Sequence, residues 1–77
     1  MQRAAEALWL GVRRTDGVDA AEVEARIGVP VMERFAPIFA RQQASGLVAL
    51  EGSRVRLVGE GLLLADQVGG DYLEVAI

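Results

Sequence analysis

Cysteine and histidine are both absent from this 77-residue chain. That removes thiolate nucleophiles, disulfides, most zinc sites and the usual proton shuttle at neutral pH. Carboxylates, arginines, one tyrosine and a few hydroxyls are left to do chemistry. Paired carboxylates could move a proton or hold a hard cation, but the spacing does not pair them. Glu22 and Glu24 would point to different faces of a helix, and Asp71 and Glu74 belong to the C-terminal tail. No stretch has the spacing of an EF-hand loop or of an HExxH helix. Gly59-Glu60-Gly61 lacks the further glycine and the Lys or Ser/Thr of a phosphate loop, and reads as a turn leading into a helix. The residue types argue against a catalyst.

All eight basic residues are arginines, and the formal net charge is −3. A net acidic domain has no general attraction for nucleic acid. A local contact would need a polar recognition helix and a basic wing. Arg41 and Gln42, with Gln43 and Ser45 nearby, could supply the first; Arg54 and Arg56 could supply the second. Three arginines are few against the several phosphate contacts of tight binding, so a solvated polar face is the preferred reading. Arg13 and Arg14, next to Asp16, complement the dipole at the end of the first helix. Their functional alternative is contact with a phosphate or an acidic partner.

The elements that would position these groups follow from hydrophobic period. Ala5, Leu8, Trp9 and Val12 recur at helical spacing within residues 3–14, and Leu10 widens the stripe. Thr15-Asp16-Gly17 breaks that helix. Asp19 is an N-cap for a second, shorter helix, with Glu22 placed for a capping box, Ala20, Val23 and Ile27 buried, and Gly28 as its stop. Pro37 is unwelcome in a helix interior but welcome in a first turn. The spacing therefore predicts a short helical turn over residues 30–35 and a third helix over residues 36–45, with a single kinked helix as the alternative. Phe35, Ile38, Phe39 and Gln42 share a face. Residues 47–50 and 55–58 flank a two-residue Gly52-Ser53 turn that suits a type II′ hairpin. That register sets Leu50 against Val55 and Val48 against Leu57 on one side, with Glu51 opposite Arg54 on the other. A last helix starts near Glu60, with Leu64 and Val68 one turn apart, and Gly69-Gly70 should fray or end it. The tail from Asp71 could resume the helix or extend.

Trp9, Phe35, Phe39 and the run Leu62-Leu63-Leu64 are most simply core. If all three leucines cannot be buried together, one side of the run is an exposed docking strip. The chain reads as one domain over residues 1–77, α+β and mostly helical. The layout is winged-helix-like, with three to four helices and one β-hairpin. No apolar run approaches the ~18 residues of a membrane span, and the charged, amphipathic N-terminus is not a signal peptide. A cytoplasmic protein is expected.

Two blocks carry a resemblance. EALWLGVRRTDGVD (residues 6–19) resembles the stretch in the C-terminal domain of the HemN/HemW group in which Glu and apolar residues lead to Leu-Arg and an acidic-Gly-apolar-acidic turn. SGLVALEGSRVRLVGEGLLLADQV (residues 45–68) resembles that domain's ending, a small hairpin followed by L-T-x-x-G, apolar residues and Asp. Pro37 falls where that domain often opens its third helix with proline. The resemblance runs from about Arg3 to Leu73. It departs at Val58, where the family usually has a capping Thr, a loss of about 1 kcal/mol that Gly59 could replace, and at Gly69-Gly70.

That family comprises oxygen-independent coproporphyrinogen III oxidases and related heme chaperones. Both are radical S-adenosylmethionine proteins whose catalytic barrel holds an iron–sulfur cluster through a CxxxCxxC motif. The resemblance implies a non-catalytic accessory domain of a larger porphyrin- or heme-related protein. Its implied partner is the barrel of the same polypeptide, met through Arg13, Arg14 and any exposed part of Leu62, Leu63 and Leu64. Cluster and S-adenosylmethionine are implied for the parent; this chain would hold no cofactor. Heme ligation here could come only from weak candidates such as Tyr72. A winged-helix DNA-binding regulator using Arg41, Gln42, Arg54 and Arg56 is the alternative, and a simple protein-interaction module a third reading.

Overall fold

A computed structural model describes residues 1–75; the last two residues of the tail lie outside the described residues. The first helix, α1 (Gln2–Val12), buries Ala4, Ala5, Leu8 and Val12, the stripe its spacing predicts. Leu10 does not join that stripe and is 66% exposed. At 100° per residue it lies most of the way around the helix from Leu8 and Val12, so its neighbours on the surface are charged residues. Trp9, on the flank of the stripe, is only partly buried.

Gly17, at φ 76°, turns the chain into a two-residue strand, β1 (Val18–Asp19). A Cβ on Gly17 would overlap the Val55 carbonyl, so only glycine lets the chain run this close to the sheet. Asp19 caps α2 (Ala20–Ile27) by accepting from the Ala21 amide at 3.0 Å. The reciprocal bond of a capping box is not formed: among the described residues the Glu22 carboxylate accepts no hydrogen bond from the Asp19 amide, and the Asp19 carboxylate accepts also from Ser53. Gly28 closes α2 in the left-handed conformation at φ 84°.

The third helix is continuous. Helix α3 (Val31–Ala44) contains Pro37, so the division after Phe35 expected from the proline does not occur. Pro37 deprives the Glu33 carbonyl of its helical donor, but Pro37 and Glu33 are both exposed, and water can take the vacant place. Pro30, at the N-cap, offers no side-chain acceptor; the Glu24 carboxylate reaches across from α2 to accept from the Met32 amide at 3.0 Å.

Strands β2 (Val48–Glu51) and β3 (Arg54–Leu57) form the hairpin in the expected register, Val48 opposite Leu57 and Leu50 opposite Val55. Gly52 has φ 63° and Ser53 does not share the positive φ, as a type II′ turn requires. Strand β1 adds to the free edge of β3, giving an antiparallel sheet in the order β1-β3-β2. A two-residue strand leaves no periodic trace in a sequence, and the hairpin was expected alone.

A 3-10 turn (Gly59–Leu62) comes next, with no side-chain cap from Val58. Then α4 (Ala65–Val75) runs through Gly69 and Gly70 without a break, against the expectation that they end the helix. Packing overrides propensity here. Val68 and Tyr72 are buried on the same helix, and Gly69 lies against Trp9 so closely that a Cβ would overlap the indole. Four helices and a three-stranded antiparallel sheet thus form an α+β domain, mostly helical.

Candidate functional site

Polar side chains that might have faced a ligand are mostly held by the fold. Among the described residues Gln42 is the one polar side chain buried with the apolar core. Its amide nitrogen donates to the Val68 carbonyl at 3.0 Å and to an Asp71 carboxylate oxygen at 3.1 Å. Its carbonyl oxygen accepts from the Tyr72 hydroxyl at 2.8 Å. These bonds fasten α3 to α4. Burial, helped by the neighbouring Asp71 charge, pushes the Tyr72 hydroxyl well above the ordinary value of 10.0. Tyr72 meets Phe35 and Phe39 edge to face, at 6.2 and 5.7 Å between ring centroids. Tyr72 is therefore not presented to a ligand in this structure.

The four residues singled out as nucleic-acid contacts are dispersed. Gln42 points inward. Arg41 pairs with Asp71 at 3.2 Å. Glu51 stands opposite Arg54 as expected, but its ion pair is the diagonal one to Arg56, at 3.1 Å on the same face of the hairpin. Arg54 instead reaches the Asp16 carbonyl at 3.1 Å and lies 3.9 Å from the Asp16 carboxylate. Each of the three arginines is partly neutralised by the domain's own carboxylates, which leaves little free positive charge on the helix or the wing.

Arg13 and Arg14, adjacent in sequence, go to different sides of α1. The Arg13 guanidinium lies over the Trp9 ring, 5.2 Å from its centroid, and pairs with Asp66 at the start of α4. The Trp9 indole N–H is buried and has no hydrogen-bond partner among the described residues. Arg14 faces the other way, 3.9 Å from Asp16, on a groove of about 590 Å³ between α1, β1 and α2. Leu10 and Ile27 give that groove apolar surface, and charges of both signs rim it. At its far end Asp19 accepts from the Ser53 hydroxyl at 2.5 Å. That bond, with the Ala21 and Glu22 amides and Arg54 assisting against slight desolvation, holds the Asp19 carboxyl below its ordinary value.

The leucine run is out in solvent. Leu62 is 66% exposed, Leu63 85% and Leu64 38%, so the core reading fails for all three. The cause is Gly61, buried beneath them. It packs on the Leu47 backbone so tightly that a Cβ would overlap the Leu47 carbonyl. With the turn pinned by its glycine, the three leucines that follow have no interior to enter. Asp66, two residues past Leu64, pairs with Arg13, while Arg14 turns to the groove. Among the described residues no group of His, Cys, Asp or Glu could hold a metal ion, and no helix is long and apolar enough to cross a membrane.

The family model of the HemN C-terminal domain matches residues 1–64. The chain belongs to that family. No curated protein and no solved structure matches it significantly. The HemN C-terminal match spans α1 through the leucine strip.

Proposed function

We propose that this domain is a non-catalytic C-terminal accessory domain of an oxygen-independent coproporphyrinogen III oxidase or HemW-like radical S-adenosylmethionine protein, in porphyrin or heme metabolism. It packs on the catalytic barrel of the same polypeptide and helps close the substrate end against water. The match of residues 1–64 to the HemN C-terminal domain carries this reading. Its support within the domain is chemical: Arg13, Arg41, Arg54 and Arg56 are engaged in ion pairs, and Leu62, Leu63 and Leu64 form an exposed apolar strip. An exposed strip of this kind marks a contact surface.

The test is made in the parent protein. Removing the domain should lower both substrate affinity and turnover while leaving the iron–sulfur absorption of the barrel intact. Unchanged affinity and turnover after removal would refute the accessory role.

A further inference from the structure

Charge is divided unevenly along the chain. All eight arginines and seven of the eleven carboxylates lie within residues 1–56; residues 57–77 carry the other four carboxylates and no basic residue. The apolar strip Leu62–Leu64 sits in this wholly acidic stretch. Asp66 and Asp71 are taken up by Arg13 and Arg41. Glu60, exposed and two residues before the strip, has no ion pair among the described residues. The strip therefore presents leucine flanked by an unneutralised negative charge.

We infer that Leu62, Leu63 and Leu64 dock into an apolar recess on the catalytic domain of the same polypeptide, rimmed by Arg or Lys that meets Glu60. The inference rests on the accessory-domain reading and adds the face and the chemistry of its partner. Two properties select this occupant. Charge complementarity disfavours an anionic lipid surface, which would repel Glu60. Size disfavours any free partner, because a stable interface takes roughly 20–30 residues a side. A strip of three leucines holds only a partner tethered to it, where the effective concentration reaches about millimolar.

The parent protein carrying a benzophenone amino acid at position 63 (Leu63→p-benzoylphenylalanine) tests this directly under ultraviolet light. The expected result is an intramolecular link to an apolar segment within a few residues of Arg or Lys. Its yield should fall at least threefold when Glu60→Arg is added, and at least fivefold exceed that of the same probe at exposed Gln43. A covalent dimer, a yield no higher than at Gln43, or a yield indifferent to Glu60→Arg would each overturn the inference. The two readings fail separately. Loss of turnover on domain removal without a link from position 63 leaves the accessory role and sinks the strip. A link without loss of turnover does the reverse.

Discussion

At the seam between α3 and α4 an amide is buried and fully bonded, while at the turn before α4 three leucines stand in water. Side-chain polarity alone would have placed each group on the other side. Gln42 is tolerated inside because Val68, Asp71 and Tyr72 supply partners for both its nitrogen and its oxygen, so no desolvated group is left unpaired. The leucines are tolerated outside because nothing in folding forces them in, with Gly61 holding the turn beneath them. The seam is where this domain spends its binding energy on itself. The strip is where it has some left for another surface.

The contrast breaks most sharply at Tyr72. Tyr72→Ala should destabilise by about 3–5 kcal/mol, the range for deleting a buried aromatic, measured by denaturant unfolding. That is a large share of the stability of a domain this size, at roughly 0.05–0.15 kcal/mol per residue. Native Tyr72 should also make the fold sensitive to alkali. Its folded pKa lies above the unfolded value, so its contribution is complete below pH 10.0 and is lost as pH rises through the folded value.

Gln42→Ala comes next. It strands the Tyr72 hydroxyl inside, and a buried unpaired group costs roughly 1–3 kcal/mol. A double-mutant cycle with Tyr72→Phe should show coupling, because the two side chains share one bond; additive losses would mean that the bond contributes nothing to holding α3 on α4.

Gly69→Ala tests the other side of α4. Helix propensity alone predicts a gain of about 1 kcal/mol. Overlap with the Trp9 indole predicts overpacking of about 1–3 kcal/mol, and a net loss is expected. Gly70→Ala, where a Cβ would meet nothing, should instead stabilise. Opposite signs from neighbouring glycines would separate packing from propensity. Asp19→Ala should bring a further, smaller loss that depends on acid. The folded carboxyl is held below 3.8, so its contribution is present above that pH and disappears as pH falls through the lowered value. Wild type and variant should therefore converge in acid.

The legible parts of this fold were those set by local pattern. The hairpin register followed from alternation and a glycine turn that agreed with each other, and the α1 stripe, the Asp19 cap and the Gly28 stop were written in adjacent residues. What escaped was set by contact across the chain. Gly69-Gly70 reads as a helix end until Trp9, sixty residues away, is seen to fill the space a side chain would need. Pro37 reads as a helix start until its solvent exposure is known, and β1 exists only because β3 offers an edge. At the candidate site the same limit holds: Arg13 and Arg14 look alike in sequence, yet one serves α4 and the other the groove.

The smallest effect on folding should come from the strip itself, and it sharpens the contrast most. Leu63 is 85% exposed, so Leu63→Ser removes little surface that folding had hidden. Surface substitutions of this kind usually change stability by within about 0.5 kcal/mol. Unfolding of the isolated chain should therefore be nearly unaltered, and its solubility should rise as the apolar patch shrinks. In the parent protein the same substitution should loosen the domain from its neighbour, read as faster proteolysis between them at unchanged domain stability. A large loss of stability in the isolated chain would mean that Leu63 is held by the fold after all, and that the strip is core.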